Sequence, residues 1–208
     1  KGWGNEWLSG MWCRAGGLGG WLLWDQLDAT LQQAVARMVA HEADRFIDKQ
    51  PESREFLNTG AEENAWNAKV TALACNMMPG HPHSGDWDRA AKTYLYNTFS
   101  VLADQHDTSL GDDGKAVRDW VTTVNAHPDF TVENHGMVHM GYLKDSMGYM
   151  LENACVYQLA GKSLPRAYLH HTADAFAVVK KCMSWDGAAI YFGGNDWKVV
   201  HTQSADAS

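Results

Sequence analysis

Apolar residues recur at helical spacing through most of the middle of the chain. Between positions 25 and 49, Leu27, Leu31, Val35, Met38, Val39 and Phe46 fall at steps of three and four, which lays one apolar stripe along a helix that Pro51 must end. A second helix is predicted from Thr59 or Gly60 through Ala65, Trp66, Val70, Leu73 and Met77 to the Pro79-Gly80 break, with Glu62 and Glu63 in the first turn, where the helix dipole favours acids. A third follows over 87–103. A fourth spans 140–160, with Gly161 as its C′ residue, and a fifth runs from Pro165 to about 183. Residues 1–24 mix Trp3, Trp7, Trp12, Trp21 and Trp24 with glycines and read as an irregular lead-in. The tail, 184–208, reads as loops around one short strand at 188–192. Long helices joined by short links, with almost no period-two alternation, predict a single all-α domain of antiparallel helical hairpins over 1–208. No fixed-length repeat supports a solenoid.

Composition narrows the functional classes. An apolar content of 45% with 20% charged residues is that of a folded core. The net charge of −8, with 17 scattered basic residues, argues against a nucleic-acid surface, which needs clustered Lys and Arg. No apolar run approaches the roughly 20 residues of a membrane-spanning helix, so no membrane insertion is expected. Cys13, Cys75, Cys155 and Cys182 lie far apart with no C-x-x-C pair and are expected to be small buried hydrophobes. The chain starts at Lys1 and stops at Ser208 without a closing amphipathic element, which reads as a piece of a larger parent chain.

The densest polar cluster runs from Asp129 through Glu133, Asn134, His135 and His139 to Tyr142. His135, His139 and Tyr142 are spaced i, i+4, i+7 and would share one side of a helix extended backwards from Met140; in a loop that alignment fails. His and Tyr can move protons near neutral pH, and an Asn amide can hydrogen-bond a carboxylate. The alternative is that Asn134 caps a helix while both imidazoles serve backbone carbonyls. The polar stretch 104–131 ahead of the cluster, which includes His127, is long enough for a functional loop. A second group, Glu63, Asn64, Trp66 and Asn67, opens the second helix, with Glu63 and Asn67 at i, i+4; Trp66 suits either sugar stacking or the core. For a hydrolase, Glu63, Asp129, Glu133 and Asp196 are the candidate carboxylates. No cofactor is assigned. No metal is assigned either, since H-E-x-x-H is absent and His170-His171, expected in mid-helix, would point about 100° apart with one buried and one exposed. There is no G-x-S-x-G elbow and no phosphate-cradling loop.

The 129–142 cluster, together with Glu62-Glu63-Asn64-Ala65-Trp66-Asn67-Ala68 and Asn195-Asp196-Trp197, resembles the helical part of heparinase II/III-like proteins and related polysaccharide lyases, loosely over residues 25–200. The resemblance implies part of an (α/α) toroid, β-elimination on uronic-acid glycans, and a periplasmic or secreted parent. It casts Asn134 as neutraliser of the uronate carboxyl, His135 as base or its helper and Tyr142 as base or acid, with His139 beside them. Glu63, Asn64, Trp66, Asn67, His127, Glu133, Asp196 and Trp197 would contact a polysaccharide or oligosaccharide partner. No arginine stands near the cluster, and the β-sandwich of the family is missing. A glycoside hydrolase on the same architecture, or a noncatalytic glycan-binding module, are the alternatives.

Overall fold

The computed structural model describes residues 4–191. Its helices are α1 (Ser9–Leu22), α2 (Ala29–Asp44), α3 (Ala61–Met77), α4 (Ser84–Tyr96), α5 (Met140–Leu159) and α6 (Thr172–Lys181), and a two-stranded hairpin, β1 (Glu133–Asn134) and β2 (Met137–Val138), precedes α5. The fold is all-α with minor strands, as expected. Asp28 caps α2 by accepting the Leu31 N–H at 2.9 Å. Gly161, at φ +66, closes α5 as predicted.

Side-chain neighbours fix the winding. Gly20 meets Val35, Gly17 meets Val39 and Gly10 meets Phe46, so α1 and α2 form an antiparallel hairpin. Asn64 bonds the Asn97 carbonyl, and Ser84 reaches the Cys75 carbonyl at the other end, so α3 and α4 form a second. Between α3 and α5 the order is the same in both helices: Trp66 meets Tyr149, and three residues on Lys69 meets Glu152. These two run parallel. α3 is buried on nearly every face, so it carries no amphipathic stripe; its alanines let the neighbouring helices come close.

Three expectations are corrected. The lead-in is not irregular: 9–22 is a helix whose glycines serve packing, since a Cβ at Gly17 would lie 2.5 Å from Val39 Cγ2 and 2.7 Å from Leu73 Cδ2. The third helix ends at Tyr96 rather than near 103, because the Asn97 side chain leaves the helical pattern and ties down the following loop. The predicted fifth helix is broken: a 3-10 turn (Arg166–Leu169) precedes His170, and His171 takes a left-handed φ of +55 before α6 begins. Of the tail strand, only a bridge between Met183 and Ala189 is present among the described residues.

The long connection between α4 and α5 has little regular structure, so its backbone groups need side-chain partners. Asn97 Oδ1 accepts from the N–H groups of Thr122 and Thr123, and Asn125 Oδ1 accepts from those of Arg54 and Gly60. Both asparagines are fully buried. They fix the loop that carries the hairpin.

Candidate functional site

The hairpin turns on two residues, His135 and Gly136, both with positive φ (+51 and +76), as a type I′ turn demands. Histidine is among the few non-glycine residues that tolerate this region. The turn is held from below: Gly136 N–H donates to the Leu57 carbonyl, Thr59 N–H to the Glu133 carbonyl, and His135 N–H to the side chains of Asn58 and Asn134. His135 is exposed and Asn134 is buried beside it. A left-handed non-glycine residue held by its surroundings at a surface tip marks a position of interest.

His139 is fully buried and caps α5, its Nδ1 accepting the Tyr142 N–H at 3.4 Å. The acceptor role leaves the ring proton on Nε2. Tyr142 then rises in the first turn of α5 and its hydroxyl meets His135 Nε2 at 3.2 Å. The three rings sit edge to face, with centroids 4.8–5.8 Å apart. His135, His139 and Tyr142 therefore do meet, through a hairpin and a helix cap rather than along one helix. Asn134 is the first-strand residue of this turn and does not cap a helix.

From Tyr142 the same face of α5 continues through Asp145, Tyr149 and Glu152 along the parallel face Glu62, Trp66, Lys69 of α3. Burial, with the charges of Asp145 and Glu63 behind it, pushes the Glu62 carboxyl up to about 8; a hydrogen bond with Tyr149 pulls partly the other way. Tyr149 packs edge-on against Trp66 at 6.3 Å, and Trp66 against the exposed Trp7 at 6.0 Å. Beside them lies a pocket of about 100 Å3 lined by Trp7, Arg45, Phe46, Lys49, Glu52, Glu63, Trp66 and Asn67. The expected Glu63, Trp66 and Asn67 thus share one wall, and the cations Arg45 and Lys49 come from the segment that follows α2.

The other predicted contacts are placed differently. Asn64 is fully buried and its amide is spent on backbone: it accepts the Glu52 N–H and donates to the carbonyls of Glu52 and Asn97. It is a structural tie. His127 and Glu133 brace each other at 3.1 Å, with Glu133 also accepting the Leu57 N–H, so this pair supports the hairpin from outside. Asp129 folds back on Thr131. Glu63 holds Arg54 at 2.6 Å. Asp196 and Trp197 lie outside the described residues.

Sequence reasoning missed Glu62, Asp145, Tyr149, Trp7, Arg45 and Lys49. The α5 residues stand at i+3 and i+7 from Tyr142, a signal that was available; Trp7, Arg45 and Lys49 arrive through tertiary packing alone. Among the described residues no helix is long and apolar enough to cross a membrane. Cys13, Cys75 and Cys182 are buried free thiols as expected, whereas Cys155 is exposed. Burial pushes the Cys13 and Cys75 thiols up to about 12, so neither is a nucleophile at neutral pH. Comparison with protein-family models, with curated proteins and with solved structures returned no match to this chain.

Proposed function

We propose that this chain is the helical part of a carbohydrate-active protein, a polysaccharide lyase that cleaves uronic-acid glycans by β-elimination. The observation that carries the reading is the Tyr142 hydroxyl paired with His135 Nε2 at the exposed hairpin tip, with Asn134 next to it. The parallel run of α3 and α5, with α4 antiparallel to α3, also suits the winding of an (α/α) toroid.

In elimination the C5 proton of a uronate is removed, a C4–C5 double bond forms and the C4–O4 bond breaks, the leaving oxygen taking up a proton. Asn134 would hydrogen-bond the uronate carboxyl and so stabilise charge developing at C5. His135 Nε2 and the Tyr142 hydroxyl share one proton between them, so one can act as base towards C5 while the other helps carry that proton to O4. His139 positions Tyr142 through the first turn of α5 and does not face the substrate. Trp7 and Trp66 offer indole surface to sugar rings, and Lys49 and Arg45 offer positive charge to a carboxylate one or more residues along the polymer.

One observation favours a second reading. Burial raises the Glu62 carboxyl to about 8, with the charge of Asp145 adding to the rise, and a carboxyl raised towards neutral pH beside a second carboxyl group is the equipment of a glycoside hydrolase. The experiment that separates the readings exposes the protein to a panel of uronate-containing and neutral polysaccharides and follows ultraviolet absorbance and reducing ends together. Absorbance that disappears in Tyr142→Phe supports elimination. Reducing ends without absorbance, lost in Glu62→Gln, move the chemistry to hydrolysis, and an intact polymer that is still bound leaves a glycan-binding module.

A further inference from the structure

The break between the 3-10 turn and α6 corrects the expectation for His170 and His171. In an uninterrupted helix these neighbours would diverge, but the left-handed conformation of His171 swings both rings toward one carboxylate, that of Asp104 in the 3-10 turn Leu102–His106. Their ring centroids are 4.1 Å apart. His171 Nε2 lies 2.8 Å from Asp104 Oδ1, and His170 Nε2 lies 3.4 Å from Oδ2. The second approach is long and falls short of a regular hydrogen bond, so the buried His170 Nε2 is left poorly satisfied, with Asp104 as its polar neighbour. A buried unsatisfied polar atom costs about 1–3 kcal/mol and calls for an explanation.

We propose that Asp104, His170 and His171 bind one zinc-class divalent cation, with the two imidazole Nε2 atoms and one Asp104 oxygen as ligands and water in the remaining position. The three donor atoms already lie within 4.8 Å of one another. Tetrahedral zinc holds N and O ligands at about 2.0–2.2 Å, hence about 3.4 Å apart, so closure needs movements on the order of 1 Å. Two imidazoles and a carboxylate match a borderline metal rather than calcium or magnesium. The surroundings are those of a supported site. His171 Nδ1 is held by Asp174 at 3.0 Å, which orients the ring and keeps Nε2 for the metal. Tyr96 packs on His170 at 5.1 Å and Phe130 on His171 at 4.6 Å, shielding the cluster. A cation here would staple the start of the long α4–α5 connection to the α5–α6 connection.

The test uses the whole chain stripped by chelator, titrated with zinc by calorimetry and with cobalt(II) by visible absorption, alongside His170→Gln, Asp174→Asn and the control His81→Gln. The expected result is one equivalent of zinc, an intense cobalt spectrum of low coordination number, and a higher thermal midpoint with metal. His170→Gln should weaken zinc by at least about tenfold, and Asp174→Asn, which keeps all three ligands, by about 10–100-fold. His81→Gln should leave binding unchanged. No saturable uptake by the folded chain, or uptake equal in wild type and His170→Gln, would overturn the proposal. Circular dichroism checks the fold of each variant, and if His170→Gln fails to fold, unchanged binding in Asp174→Asn overturns it instead.

Discussion

His135 has two separable roles, one in its backbone and one in its ring. The backbone must hold φ +51 in the turn, while the ring must present Nε2 to Tyr142. Asparagine tolerates the left-handed region and has no imidazole, so His135→Asn should keep the hairpin and remove the ring to which the proposed elimination assigns proton transfer. The expected outcome is a fall of about 10²–10⁴-fold in eliminative turnover, typical of a lost acid–base group, with the thermal midpoint nearly unchanged. Tyr142→Phe should behave alike. Progress curves beside thermal melts read both, and a large drop in melting would assign these residues to structure instead. Glu62 makes a different prediction. Its carboxyl titrates near 8 in the folded chain against an ordinary 4.5, chiefly because it is buried. Below the lower value both states are protonated; between the two, only the unfolded state ionises, so stability falls as pH rises from 4.5 to 8. Each unit of difference corresponds to about 1.4 kcal/mol, which makes the total loss a few kcal/mol. Denaturant unfolding across that window should show a slope in the wild type that Glu62→Gln largely removes.

Among the helices, α1 shows most clearly how far sequence reasoning reaches. Its glycines carry the ordinary marks of a loop, and only α2 and α3 reveal why they are there. Gly17 sits where Val39 and Leu73 leave no room for a Cβ, whereas Gly19 has nothing within 4 Å. Alanine is favoured over glycine in a helix by about 1 kcal/mol, but overpacking costs about 1–3 kcal/mol. Gly17→Ala should therefore destabilise the protein and Gly19→Ala should stabilise it; urea midpoints of equal slope would decide, and the same sign for both would refute the packing account. The helices α3 and α5 were legible because propensity, caps and breakers agree with their packing: the acids after Gly60, and Gly161, each mark a boundary that tertiary structure respects, whereas α2 was legible as an element but ends at Asp44, short of the stop expected at Pro51. The 165–183 stretch was not, because its local sequence suits a helix and the break at His171 is set by contacts with Asp104, 67 positions earlier in the chain. The site divides the same way. Asn134, His135, His139 and Tyr142 announced themselves by proximity in sequence, though the hairpin that joins them lies in too few residues to leave a strand pattern. Asn64 was misread because a buried asparagine tying two backbones looks, in sequence, like one offered to a ligand.

At the level of the whole molecule, charge and architecture pull against each other. The parallel faces of α3 and α5 line up Tyr149 with Trp66, and Trp66 continues into the pocket, the face that the proposed function assigns to an extended chain of sugars. Yet the protein carries a net charge of −8, which repels a polyuronate. The cations at the pocket are partly neutralised, Arg45 by Glu42 at 2.5 Å and Lys49 by Glu52 at 3.4 Å. Their field beyond the pocket is weak, so at low ionic strength the repulsion from the whole surface should dominate. Screening lengths shrink from about 30 Å at 0.01 M salt to about 8 Å at 0.15 M, which removes that repulsion while leaving contacts inside the pocket largely intact. The KM for a polyuronate should therefore fall as salt is raised over this range, with kcat steady. Lys49→Glu should raise KM at every salt concentration without changing kcat, since Lys49 touches neither Tyr142 nor His135. A neutral oligosaccharide should respond to neither change. If instead KM for the polyanion climbs with salt, the local cations outweigh the global charge and the pocket is a stronger anion site than its ion pairs imply.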